Sequence, residues 1–300
     1  MDRSPGRLLR EFLGRAEPLL LPGVVSPLFA RLAYDAGFEA LYATGAGISN
    51  MTLGLPDLGL MGMSELAAVS GRIAEATPLP VLADIDTGYG NALNVTRTVR
   101  EFENHGVAGV QIEDQVNPKR CGHFDDKAIV SRQEMLERVF AAVEARRDPD
   151  LVIVARTDAI AVEGISSAIL RANDYAAAGA DLVFVEAPTS SEELRAIADG
   201  VAAPLMINMV EGGRTPVLAP DELASMGFAV ILYANSVLRM AMAGANTALR
   251  VLKASGGTVD LLDQMVTWPE RQAAVRLDEW LSVDARVASL AARLHDARGD

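Results

Sequence analysis

The chain has 300 residues, half of them hydrophobic, a formal net charge of -13 and one cysteine. An acidic balance of this size excludes nucleic acid and anionic membrane surfaces as partners, since both need a basic face. A single cysteine excludes an intrachain disulfide and a thiolate zinc site.

No stretch is long and apolar enough to cross a bilayer, and Met1 to Arg7 is not followed by a signal-peptide core. The expectation is a soluble protein of the reducing cytoplasm. Leu8 to Leu13, interrupted by Arg10 and Glu11, predicts a short surface helix. Apolar runs follow at Pro18–Leu21, Ala40–Ala43, Pro80–Ala83, Gly109–Ile112, Leu151–Ala155, Leu182–Val185, Pro204–Ile207 and Ala229–Tyr233. Their near-continuous hydrophobicity suits strands buried on both faces. Between them Ser64–Ala76, Ala92–His105, Ser131–Arg147 and Ile165–Ala178 read as amphipathic helices. Ser131 with Glu134 forms a capping-box pattern, and His105-Gly106, Ala178-Gly179 and Met226-Gly227 are helix stops.

Eight such strands alternating with helices predict a (β/α)8 TIM barrel. A doubly wound open sheet is the runner-up, but Thr44-Gly45-Ala46-Gly47 fits its glycine turn poorly. The helical patterns Val237–Lys253 and Leu261–Leu294 exceed what one barrel unit needs. We therefore read residues 1–300 as one barrel domain in which 237–300 is a C-terminal helical extension, packed on the barrel exterior or on a second subunit.

The cysteine lies in Asn117-Pro118-Lys119-Arg120-Cys121-Gly122-His123. Two cations and an imidazole stabilise a thiolate, so Cys121 reads as a chemical group more than a packing one. Polar residues close the strands: Tyr42 and Thr44, Asp84 and Asp86, Glu113 and Asp114, Arg156 and Asp158, Glu186, Asn208, Tyr233. In a barrel these ends converge on the mouth that holds the active site. Asp84, Asp86 and Glu113 offer only oxygen, which suits Mg2+ or Mn2+ with water ligands retained. Lys119, Arg120, His123 and Arg156 supply cations, and Arg156 can grip a carboxylate with two hydrogen bonds. A metal and cations at one mouth imply a small anionic substrate, a di- or tricarboxylate. His105 reads as a helix-end residue, and His295 as part of a polar C-terminal tail. Tyr89 either shapes the mouth or only forms a turn.

With these motifs the chain resembles the isocitrate lyase and phosphoenolpyruvate mutase superfamily. The resemblance is carried by Ala40–Ala46, Asp84-Ile85-Asp86-Thr87-Gly88-Tyr89-Gly90, Ile112-Glu113-Asp114-Gln115 and Val154–Ala159, and runs from about Leu20 to Asn246. Lys119-Arg120-Cys121-Gly122-His123 looks like the signature loop of the carbon–carbon lyase branch. The resemblance implies Mg2+ at Asp84, Asp86 and Glu113, partly through water. It implies a 2-hydroxy carboxylate whose 2-oxo-acid part sits near Tyr42, Thr44, Gly45, Ala46 and Arg156. The other half would meet Arg120, Gly122, His123, Glu186 and Asn208, with Asp57 and Lys119 in supporting roles. Cleavage would be of the retro-aldol (Claisen) type, with Cys121 protonating the carbanion and either Tyr42 or a metal-linked carboxylate as hydroxyl base. A barrel whose last helix is exchanged between subunits, in a dimer of dimers, is implied as well.

Three departures bear on the substrate. Asn208-Met209-Val210-Glu211-Gly212-Gly213-Arg214-Thr215-Pro216 stands where isocitrate lyases carry Ser-Pro-Ser, and looks more like lyases of 2-alkylmalates. Thr44 replaces a frequent serine, and Tyr233-Ala234-Asn235-Ser236 replaces Tyr-Pro. The expected reaction is cleavage of 2,3-dimethylmalate, a related 2-alkylmalate or methylisocitrate to a 2-oxo acid and a carboxylate. Alternatives are an oxaloacetate hydrolase, a carboxyphosphonate or phosphoenolpyruvate mutase, and a binding protein without catalysis.

Overall fold

Parallel pairing in sequence order closes the eight strands into a barrel: β1 (Leu19–Val24), β2 (Leu41–Ala43), β3 (Val81–Asp84), β4 (Gly109–Glu113), β5 (Val152–Thr157), β6 (Leu182–Val185), β7 (Leu205–Asn208) and β8 (Phe228–Tyr233). The computed structural model describes residues 4–120 and 127–298. The chain divides into two compact units, Met1–Met242 and Ala243–Asp300. The barrel belongs to the first. Its closure rests on β1 against β8, with Leu19 opposite Val230 and Leu21 opposite Leu232. Gly23 is required there: a Cβ would stand 1.9 Å from the Ala234 carbonyl oxygen.

Alternation along each strand sorts side chains into two cores. Leu21, Tyr42, Leu82, Val152, Val154, Phe184, Met206, Val230 and Leu232 share the barrel interior. Ala43, Val81, Ala83, Val110, Ile112, Ile153 and Ala155 face outward, against helices that include Met63–Glu75, Ala92–Asn104 and Arg132–Ala145. Val183, Val185, Leu205, Ile207 and Ile231 do the same on the far side, where Ile165–Ala177 and Ser191–Gly200 pack. The predicted helices agree with these spans to within two residues at each end. His105 follows one of them, its Nδ1 2.8 Å from the Glu101 carbonyl oxygen.

The N-terminal helix, Pro5–Leu13, is not the surface helix that its charges suggest. It buries Leu9 and Phe12, and Arg10 Nε donates to the Asp150 carbonyl at 2.9 Å while Nη2 meets Asp181 at 2.9 Å. The helix so covers the end of the barrel opposite the mouth. The helical pattern Leu261–Leu294 is divided among three elements. A 3-10 turn, Val259–Gln264, precedes the helices Trp268–Ala274 and Leu277–Arg298. Thr267 and Glu270 form a capping box that starts a new helix, and Arg276, at φ 60, separates the last two. His295 lies within the last helix and not in a tail.

Candidate active site

Strand parity determines what reaches the mouth. From the interior residue Leu82 the same face continues to Asp84; from Gln111 to Glu113; from Val154 to Arg156; from Phe184 to Glu186; from Met206 to Asn208. A cavity of about 330 Å³ opens at these ends, lined by Tyr42, Thr44, Ala46, Asp57, Asp84, Lys119, Arg156, Phe184, Glu186 and Asn208. Val210–Gly213, Asn235 and Arg239 line its other side. Two strand-end residues grouped with the mouth in the sequence stand elsewhere. Asp114 has the opposite parity to Glu113 and points outward to Thr157, Tyr175 and Arg171. Tyr233 packs against the outer core beside β8.

Thr44, buried at the end of β2, caps the helix Gly45–Leu53 by accepting from the Gly47 N–H at 3.4 Å. The first N–H groups of a helix have no partner within it, and they favour an anion. Gly45 does not line the cavity, but its missing side chain matters: a Cβ would lie 3.1 Å from Asp84 Oδ2.

Arg156 is the best-held cation. Its Nε and Nη2 donate to Asp158 Oδ2 and Oδ1 at 3.0 and 3.1 Å. Nη1 lies 3.3 Å from Glu113 Oε2 and 3.3 Å from Glu186 Oε2, and the guanidinium stacks 5.4 Å from the Phe184 ring centre. Burial opposes the charge on Asp158, but Arg156 and Lys127 outweigh it and hold its carboxyl at about 2. Lys119 is paired with Asp57 and lies 2.9 Å from Asp86 Oδ1. Burial acts against its ammonium, yet Asp86, Glu113 and Asp57 keep its pKa well above the ordinary value. Arg120 is exposed and does not line the cavity. Its backbone is clamped by the Gln115 amide, which accepts from Arg120 N–H and donates to Arg120 O, each at 2.9 Å. Cys121, Gly122 and His123 lie outside the described residues.

The acidic set is buried. Burial lifts the Asp86 carboxyl to about 6 and the Glu113 carboxyl well above its usual range. Glu113 Oε1 is buried without a hydrogen bond among the described residues, whereas Asp86 Oδ1 meets the Lys119 ammonium at 2.9 Å. Asp86 also has φ 48, a conformation that a non-glycine residue adopts only when its surroundings impose it. Oxygen-only carboxylates, one of them with an unpartnered buried oxygen, fit a hard divalent cation. Among the described residues no three acidic, imidazole or thiol groups form a ready ligand set, so waters would complete the coordination. Tyr42 is buried, and burial followed by Asp84 raises its hydroxyl well above 10.0. It keeps its proton and serves as a donor more readily than as a base.

Sequence reasoning missed Arg239, Lys127 and the outer pair Arg171 and Tyr175. Arg239 donates to the Glu211 carbonyl at 2.7 Å and lies 3.3 Å from its carboxylate, which also accepts from Ser236 at 2.6 Å. Its signal was its place at the start of a helix that follows β8, where a residue points back at the mouth. Lys127 carried none, because its partner Asp158 is distant in sequence.

A family model described as phosphoenolpyruvate phosphomutase matches residues 9–253. The chain is 46% identical to the 2-methylisocitrate lyase of Shewanella oneidensis, over 89% of this chain and 91% of that one. It is 41% identical to the 2,3-dimethylmalate lyase of Eubacterium barkeri, over 94% and 97%. The crystal structure of a 2,3-dimethylmalate lyase superposes with a TM-score of 0.90 at 37% identity, covering 96% of each chain. The chain therefore belongs to the PEP mutase/isocitrate lyase superfamily, among its carbon–carbon lyases.

Proposed function

We propose that this chain cleaves a 2-hydroxy carboxylate with an alkyl substituent, 2,3-dimethylmalate or a related 2-alkylmalate, to pyruvate or another 2-oxo acid and a short carboxylate. Methylisocitrate is the next candidate substrate and isocitrate a poor one. The observation that carries this reading is the Arg156 guanidinium, fixed in plane at the cavity, with the buried Glu113 carboxylate 3.3 Å from its Nη1 and Glu113 Oε1 left without a hydrogen bond among the described residues. A fixed cation suits a substrate carboxylate. A divalent cation, Mg2+ or Mn2+, held by Asp84, Asp86 and Glu113, supplies Lewis-acid stabilisation of negative charge on oxygen.

The residues of the chain then have distinct tasks. Arg156, Thr44 and the N–H groups from Gly45 and Ala46 bind the carboxylate of the future 2-oxo acid. Tyr42 donates to the oxygen that becomes its carbonyl. A carboxylate of the acidic set takes the hydroxyl proton, and the O–H electron pair forms the C=O bond. The C2–C3 bond breaks, and its electron pair moves onto the leaving carboxylate as an enediolate. Glu186 and Asn208 hold that half, together with Gly122 and His123; Arg120, exposed and outside the cavity lining, is left out of it. Cys121 delivers its thiol proton to C3. Val210–Gly213 face this half with backbone and glycine in place of hydroxyl side chains, which leaves space for a methyl group. A methylene-sized difference shifts selectivity by about 1–3 kcal/mol.

Pyruvate release over a panel of malates, methylisocitrate, isocitrate, oxaloacetate and phosphonopyruvate tests the substrate class. Fastest turnover is expected with 2-alkylmalates. Turnover of phosphonopyruvate alone, or of oxaloacetate alone to acetate and oxalate, would overturn the lyase reading.

Chelation is expected to abolish turnover, and Mg2+ to restore it. Because Asp86 titrates at about 6 and Glu113 is also raised, protons compete with the cation below that pH. The rise in melting temperature on adding Mg2+ should be larger at pH 7 than at pH 5. An equal rise at both would remove these carboxylates from the ligand set.

The helix Leu277–Arg298 exposes Trp280, Leu281, Val287, Leu290 and Leu294. We assign this apolar face to exchange between subunits in a homotetramer, with residues 237–300 as the extension that makes it. Among the described residues no helix is long and apolar enough to cross a membrane. The single cysteine forms no intrachain disulfide, and we place the enzyme in the reducing cytoplasm on that ground.

A further inference from the structure

A guanidinium on a long, flexible stem recognises a carboxylate well only when its plane is fixed. Asp158 fixes the plane of Arg156 with two hydrogen bonds and leaves Nη1 toward Glu113 and Glu186 at the cavity. That arrangement has a drawback, since the aspartate cancels the charge that the arginine would offer to an anion. Lys127 offsets it. Its Nζ donates to Asp158 Oδ1 at 2.7 Å, and its side chain is 1% exposed, against 0% for Asp158. The lysine so balances the aspartate, and the guanidinium's remaining neighbours are the Glu113 and Glu186 carboxylates at Nη1. The Asp158 backbone is held as well, its N–H donating to Asp114 Oδ1 at 2.9 Å.

Lys127 does not line the cavity, so whatever it does for the reaction passes through Asp158. A purely structural role explains it poorly. Burying an ammonium is costly, and an apolar side chain of similar volume is often as stable or more so. What an apolar residue cannot supply is the second positive charge.

We infer that Lys127 is a positioning residue: through Asp158 it holds the Arg156 guanidinium in one plane while offsetting the Asp158 charge that would otherwise weaken the arginine's hold on the substrate carboxylate. The inference rests on the reading of Arg156 as the carboxylate clamp.

Four variants test it in the presence of Mg2+: Lys127→Met, Lys127→Arg, Asp158→Asn and the double variant Lys127→Met/Asp158→Asn. Two quantities are read, the KM and kcat for the hydroxy acid that the wild type cleaves, and the calorimetric Kd of oxalate, a minimal dicarboxylate probe. Lys127→Met is expected to raise KM and the oxalate Kd about tenfold, with a smaller fall in kcat, as for lost ground-state binding. Asp158→Asn, which loosens the plane directly, should weaken oxalate at least as much. Lys127→Arg should recover most of the affinity. The double variant removes the under-compensated carboxylate, so thermal stability returns but oxalate affinity does not.

Unchanged KM and oxalate affinity in folded Lys127→Met would overturn the inference. So would full recovery of affinity in the double variant, which would make Lys127 a charge neutraliser only. Failure of all four variants to fold would mark the pair as structural and overturn it too, as would a wild type that binds no oxalate. A wild type that binds oxalate but cleaves no hydroxy acid would sink the proposed function, and the oxalate affinities alone would then decide this inference.

Discussion

Cys121→Ser is expected to lose turnover by about a thousandfold while folding normally. A hydroxyl keeps the size and polarity of the thiol but is far too weak an acid to protonate the departing carbanion. Lys119, Arg120 and His123 around Cys121 in the sequence are the groups that would lower its pKa and ready it for transfer. Two measurements separate this role from a structural one. Thermal unfolding of the variant should match that of the wild type, and alkylation of the wild-type thiol near neutral pH should outpace that of a free thiol and be slowed by substrate. Near-normal turnover in the serine variant would remove Cys121 from the chemistry. Enolate formation could still proceed in the variant, so exchange of the C3 proton of the short carboxylate with solvent is the step that should be lost.

The second large effect is on stability and comes from behind the site. Asp114 Oδ2 accepts from Thr157 at 2.7 Å and Tyr175 at 2.9 Å and meets Arg171 at 3.4 Å; its Oδ1 accepts the Asp158 N–H at 2.9 Å. Burial, then Asp158, raises its carboxyl above the ordinary value. Asp114→Ala would leave the buried Arg171 without this partner and three donors without an acceptor. Losing one side of such a buried network costs about 3–5 kcal/mol. Urea unfolding measures it, and a loss below about 1 kcal/mol would place the network among ordinary hydrogen bonds. Asp114→Asn, which keeps one acceptor oxygen but turns an amide N–H₂ toward donors, should fall between the two.

The barrel was legible because parallel strands covered on both faces must be apolar on both. All eight runs therefore stand out, from Leu19–Val24 to Phe228–Tyr233. The inward polar residues were legible for a related reason. A charged residue two places beyond an interior apolar one, as Asp84 after Leu82 or Arg156 after Val154, keeps the same face. The motif loop around Cys121 carried the lyase resemblance through residue type alone.

Tertiary structure decided what periodicity cannot encode. Parity separates residues 113 and 114, but only the placement of Arg171 and Tyr175 on the helix Ile165–Ala177 shows what the outward carboxylate bonds to. The N-terminal helix reads as surface from its charges, but Arg10 spends them on carbonyls and on Asp181 at the barrel's far end. The pairing of Lys127 with Asp158 joins residues 31 apart. A contact of that kind depends on how two strands and their loops are set beside each other in space, and a linear pattern of residue types holds no record of it.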